Sequence, residues 1–151
     1  MKTYTFDIQI PSTEAPDFID ITDNIANCIV ESQILNGIVV VFSKHTTAAI
    51  TIQENEPLLL EDFRALLDDF ASKKNQYRHN DFDVRTVHMH EDECPNGHSH
   101  CQHLLLGSSE SIPVVGGAMS LGEWQRIFMI ELDSDKANQV GYRSLLIQII
   151  G

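Results

Sequence analysis

Basic residues are scarce in this chain. Ten lysines and arginines face 22 aspartates and glutamates among 151 residues, a formal net charge of -12. Nucleic-acid binding rests largely on Lys and Arg neutralising phosphates, so this balance argues against a polyanionic partner. It suits a site that takes a cation; a phosphorylated ligand would need a metal or a local basic cluster to reverse the field. Cysteine is scarce too. Cys28, Cys94 and Cys101 are odd in number and lack CxxC spacing, which excludes a secreted disulfide framework. Long apolar runs are missing: residues 37–42 and 145–150 fall far short of the roughly 20 that a membrane span needs. The opening MKTYTFDIQIPS alternates apolar and polar residues and reads as a first strand, not a signal peptide. A cytoplasmic protein with no membrane partner is expected. GxSxG, GxxxxGK[ST] and GxGxxG are all absent, so serine-hydrolase and nucleotide-binding signatures are missing.

What is present has the patterning of one domain spanning 1–151, with ordinary apolar (42%) and charged (21%) content. Tyr4, Phe6, Ile8 and Ile10 share one face of the first strand, which Pro11 ends. Ile21, Ile25, Cys28, Ile29 and Ser32 fall at helical spacing, with Asp20 or Thr22 as cap and Asn36-Gly37 as the expected stop. Ile38–Phe42 reads as a strand covered on both faces, and Ala48–Gln53 as another. Pro57 opens a helix whose apolar stripe is Leu59, Phe63, Leu66, Leu67 and Phe70. Residues 75–98 form a long loop, and Ser99 is expected to cap a short helix that Gly107 ends. A glycine-turn hairpin over 114–119 and strands over 124–132 and 144–150 complete the chain. The expected fold is α+β: two main helices on a mixed, mostly antiparallel sheet or sandwich.

Six of the seven histidines lie between His79 and His103, most densely in CPNGHSHCQH at 94–103. Neutral imidazole is the commonest nitrogen ligand for transition metals, and three or four converging donors make a site. His100 and His103, three apart on a helix, are expected to share a face. A closed set of Cys94, His98, Cys101 and His103 is too cramped in spacing to match a zinc finger. An open site drawing on separate segments, the distant His45 included, is the stronger alternative. A divalent transition metal is therefore the expected cofactor, zinc first. Three other stretches carry polar groups: HTTAAITIQENE from His45 to Glu56, the Gly-Ser-Ser turn at 107–109, and Trp124-Gln125 at a strand entrance. Each is also an ordinary structural feature when taken alone.

In order, HTTAAITIQEN (45–55), YRHND (77–81), NGHSHCQHLLLGSS (96–109), LGEWQ (121–125) and the terminal QIIG resemble the YjbQ-like family, whose members are often labelled secondary thiamine-phosphate synthases. The resemblance runs nearly end to end. It implies an α+β fold, a homotrimer, and a polar pocket into which His45, His79 and His100 project as metal ligands. Glu54 is then the candidate acid/base residue facing the same pocket, with Asn55, Ser109, Trp124 and Gln125 placing a small-molecule ligand, possibly phosphorylated. The activity it implies joins a pyrimidine diphosphate to a thiazole phosphate. The chain departs from the pattern at Glu123, where the family usually has threonine, and in its thin basic complement of Lys136 and Arg143 before the last strand.

Overall fold

The computed structural model describes residues 1–151. Eight strands, β1 (Thr3–Pro11), β2 (Asp17–Asp20), β3 (Asn36–Ser43), β4 (Ala48–Gln53), β5 (Ser109–Val115), β6 (Ala118–Met119), β7 (Arg126–Glu131) and β8 (Tyr142–Ile150), form two sheets. One has the order β1-β8-β3-β5-β6 and the other β2-β7-β4, every pairing antiparallel. Four helices accompany them: α1 (Thr22–Ser32), α2 (Pro57–Phe70), α3 (Gly97–Leu106) and α4 (Ser134–Val140). The α+β class is as expected, with α1 and α2 as the two main helices, α3 as the expected short one, and α4 in addition.

The larger core lies between the sheets and α1. Ile25 and Ile29 of α1 meet Val39 and Val41 of β3, Ile127 and Met129 of β7, and Ile147 and Ile149 of β8. The alternate β7 residues, Phe128 and Ile130, point the other way into a smaller cluster with Ala49, Leu67 and Leu132. β7 is thus the strand buried on both faces, a role its central IFMI carries as continuous apolarity. β3 was expected to play that part and does not. Val39 and Val41 are fully buried, whereas Ile38 and Phe42 on the opposite face are 50% and 40% exposed. Ile38 pairs with Ile150, and Phe42 with Leu146, so the uncovered face continues onto β8.

Helix ends also differ from expectation. α1 stops at Gln33, which adopts the left-handed conformation (φ 57°), and Asn36-Gly37 instead begin β3. A side chain at position 37 would strike the carbonyl of Ile150, so glycine there serves strand packing, not helix termination. α2 is capped by the Glu56 carboxylate, which accepts from Leu58 N and Leu59 N, and only Leu67 of its stripe is fully buried. Asn96 precedes α3, and Ser99 is no cap: it is buried and donates to the Leu132 carbonyl (2.5 Å). α4 escaped the periodicity reading because it buries one residue, Ala137. Its signals are an Asp133 cap that accepts from Asp135 N and Lys136 N, and Gly141 at φ 81°.

Candidate functional site

The fold's most deeply braced polar unit is a buried ion pair. Arg143 of β8 donates through Nε and Nη2 to the two oxygens of Glu131 at 2.6 and 2.7 Å, and both side chains are almost wholly buried. Glu131 also accepts from Ser12 Oγ and from the backbone N–H groups of Leu132 and Asp133, so its charge is fully compensated. One residue along β8, Ser144 N–H donates to His45 Nε2 at 3.0 Å. That bond commits the Nε2 lone pair and leaves the proton of the neutral ring on Nδ1. Burial, then the nearby Arg143 charge, hold His45 below the ordinary imidazole value, which keeps it neutral.

The other two histidines are brought together by a close approach. His79 lies on a single 3₁₀ turn, Arg78–Asn80, whose Asn80 Oδ1 accepts from Gly97 N at 2.8 Å. A Cβ at Gly97 would come within 2.5 Å of Tyr77, so only glycine lets the start of α3 seat against this turn. His100, three residues on, then packs edge-on against His79 with ring centroids 4.6 Å apart. Burial, then His79, push His100 below the ordinary imidazole value. His45, His79 and His100 all line one cavity of about 750 Å³. Its charged lining is Lys44, Arg85, Lys136 and Arg143 against a single carboxylate, Glu93. Each cation already has a partner: Asp7, Glu93, Asp92 and Glu131 respectively. Asn96 lines the same cavity. Its Nδ2 donates to Asp133 at 2.7 Å, while its buried Oδ1 has no partner.

Tested against a metal, the residues fit in part. His79 and His100 are a neighbouring pair of nitrogen donors on a cavity wall, with room for further ligands. His45 does not complete them, because its Nε2 is bound to Ser144 and its Nδ1 carries the proton. The three do not bring ligand nitrogens within 4.8 Å of one another; only Cys94, Asp133 and Asp135 do so as a His/Cys/Asp/Glu set. That set has an internal explanation. Asp133 caps α4 and receives Asn96, and the Cys94 thiol, pushed up to about 11 by burial and Asp133, points at its carboxylate from 3.8 Å. The compact Cys94, His98, Cys101, His103 set is not assembled. His98 is on the other side of α3 and bonds Ser99, and His103 bonds Ser108 at 3.2 Å behind the helix end, so it does not join His100 in the cavity. His88, with φ 52°, adds a fourth histidine to the lining.

The expectation that Glu54 faces the histidines is corrected within one chain. Glu54, Asn55 and Trp124 line a separate cavity of about 480 Å³, together with Asp20, Glu56, Glu123 and Arg126. β4 runs from the histidine end to this one, so His45 before it and Glu54 after it are held a full strand apart. Asp20 organises the floor: despite burial, hydrogen bonds from Arg126, Thr22 and Asn55 hold its carboxyl below the usual range. Trp124 is 66% exposed. Gln125 turns back to accept from Gly122 N at 2.8 Å, closing the turn before β7. Ser109 opens β5 opposite Phe42 and lines neither cavity. Sequence reasoning missed Arg85, Glu93 and Asn96, which lie in the aperiodic 75–98 segment where only a count of histidines stood out.

Two antiparallel sheets enclosing α1, with a histidine cavity between the 3₁₀ turn, α3 and β8, define an α+β domain with a polar recess. The family model described as UPF0047 protein YjbQ-like matches residues 6–151, and the chain belongs to that family. A UPF0047 protein of Methanothermobacter thermautotrophicus is 36% identical over 140 residues, 93% of this chain and 90% of that one. A UPF0047 protein of Archaeoglobus fulgidus is 32% identical, over 92% of this chain and 99% of its own length. The crystal structure of a YjbQ-like protein of unknown function from Sulfolobus solfataricus superposes with a TM-score of 0.85 at 31% identity, covering 99% of this chain and 98% of that one. A hypothetical protein from Aeropyrum pernix gives 0.78 at 32% identity, covering 100% and 99%.

Proposed function

We propose that the His45–His79–His100 cavity is a metal-assisted site for a small phosphorylated ligand. The observation that carries this is local charge inversion: in a chain of net charge -12, four cations and four histidines line one recess with one carboxylate. A phosphate entering there competes with Asp7, Asp92 and Glu93 for Lys44, Lys136 and Arg85, while Arg143 stays locked to Glu131. His79 and His100 hold a divalent transition ion, zinc by ligand preference, and such an ion when bound supplies positive charge at phosphate oxygens. His45, fixed by Ser144, offers its Nδ1–H as a neutral donor to the same oxygens. Inorganic diphosphate is the direct probe. Calorimetric titration should show saturable binding that one equivalent of zinc strengthens and that His100→Ala weakens. Heats of dilution alone, with and without zinc, would overturn the reading.

A transferase of the thiamine-phosphate synthase kind needs, besides this anion site, a surface that stacks a pyrimidine. Trp124 is the only indole in the chain and lies beside Glu54 in the other cavity. Such chemistry requires a second copy to carry Trp124 and Glu54 to the histidines. A homotrimer is the assembly we propose for this, supported by the uncovered apolar face of Ile38, Phe42 and Ile150 and by the opposite charge of the two cavities. Light scattering at moderate salt should give three times the chain mass; a monomer would refute the assembly and confine the site to the anion-binding role.

A further inference from the structure

A third recess lies on the far face of α3 from His100. Residues 98 and 102, one helical turn apart, form its wall from α3, and Arg64, Asp68 and Lys73 face it from α2 and the segment after it. Its volume, about 210 Å³, is below the ~300–1,000 Å³ of a drug-sized ligand pocket, so an occupant has few heavy atoms.

The hydrogen-bonding of His98 is incomplete. Ser99 Oγ gives its proton to the Leu132 carbonyl at 2.5 Å, so toward His98 Nε2, 3.2 Å away, it acts as acceptor. Nε2 therefore carries the ring proton, and Nδ1 is a bare lone pair. His98 is 7% exposed, and its Nδ1 has no partner. Leaving such a group unpaired costs stability that a donor would recover. Gln102 repeats the pattern. Both of its amide hydrogens go to α2 carbonyls, of Leu67 (3.2 Å) and Ala71 (3.0 Å), and Oε1 receives no protein donor. Asp68 adds a carboxylate without a cationic partner. On the cationic side, Arg64 has no carboxylate within 4.0 Å; its Nε reaches only the Pro16 carbonyl, and its guanidinium lies 5.5 Å over the Phe18 ring. Lys73 is held loosely, by Ser134 Oγ at 3.2 Å and Asp135 at 3.6 Å.

Three acceptors short of donors, a guanidinium without a carboxylate and the loosely paired Lys73 thus belong to residues that line one small recess. We propose that it binds a small zwitterion of the α-amino acid type, its carboxylate on Arg64 and Lys73 and its ammonium on His98, Gln102 and Asp68. A purely anionic ligand would leave the acceptors unpaired and face Asp68; a simple amine would leave Arg64 unpaired. Both halves are required together.

The test is a panel titration of the full chain, followed by calorimetry or NMR, with glycine, L-alanine and L-serine against acetate and methylamine. At least one amino acid should bind saturably, and neither half-ligand should. Arg64→Met and His98→Phe should each weaken binding about tenfold or more, the loss of one charge-assisted or buried hydrogen bond. His79→Ala should leave it unchanged, which separates this recess from the histidine cavity. No saturable binding by any of the three amino acids, or equal binding of acetate or methylamine, would overturn the proposal.

Discussion

The histidine cavity and the Trp124 cavity are charge inverses of each other. The first has Lys44, Arg85, Lys136 and Arg143 with one carboxylate, Glu93; the second has Asp20, Glu54, Glu56 and Glu123 with one cation, Arg126. They also differ in rigidity. Behind the first lies a fully buried, bidentate Arg143–Glu131 pair that holds β8 and, through Ser144, the His45 ring. The second has a partly exposed Arg126–Asp20 pair at its floor. A site that must hold catalytic or ligating groups in place needs the first kind of support, and a surface that meets a partner tolerates the second. The proposed roles therefore divide along the length of β4, between the residues before Ala48 and those after Gln53.

The largest expected contrast is in stability. Arg143→Met strands the Glu131 charge in the core and should cost about 3–5 kcal/mol, whereas Arg126→Met removes a partly exposed pair and should cost about 1 kcal/mol. Denaturant unfolding of both variants measures this, and equal losses would mean that the two cavities are braced alike. Ligand binding comes next. Lys136→Ala should weaken diphosphate binding about tenfold, the worth of one charge-assisted hydrogen bond, and Arg126→Ala should leave it unchanged.

Acidity sharpens the same comparison more gently. His45, His98, His100 and His103 are all held below the ordinary imidazole value of 6.5, each chiefly by burial. The unfolded chain then binds more protons than the folded one, so these groups are neutral in both states above that value and cost stability as pH falls through it. Unfolding midpoints should decline from neutral pH to about pH 5, and His103→Gln should flatten the slope without altering diphosphate binding. The smallest effect is spectroscopic. Trp124 is the sole indole, so its emission should shift to the blue as subunits assemble over the second cavity, and Glu123→Lys should reduce that shift.

Alternating and periodic stretches were legible because their burial is local. β1, β4, the β5–β6 hairpin and the face of α1 follow from side-chain spacing alone. What long-range packing decides was not. Whether β3 or β7 is covered on both sides depends on where the second sheet lies, and IVVVF and IFMI look equally apolar before that is known. The cluster of histidines drew attention to a segment whose His79, His88 and His100 the fold brings to one cavity with His45, and Asn96-Gly97 contained the signal for the Asn80–Gly97 approach that seats His100 on His79. Within one chain Glu54 lies apart from the histidines for a geometric reason. Sharing HTTAAITIQEN with His45 suggested proximity, yet an extended strand separates its ends by roughly 3.3 Å for every residue. Ser99 looked like a cap because hydroxyls favour that position, but its proton is spent on Leu132 across the core.

Metal retention tests the division most directly. The full chain and its His79→Ala, His100→Ala and Glu54→Gln variants would be equilibrated with zinc, dialysed and assayed for bound metal. The account predicts near-stoichiometric zinc in the parent and in Glu54→Gln, with several-fold loss in both histidine variants. Unchanged zinc in His79→Ala and His100→Ala, or its loss in Glu54→Gln alone, would place the metal outside the histidine cavity and contradict the assignment.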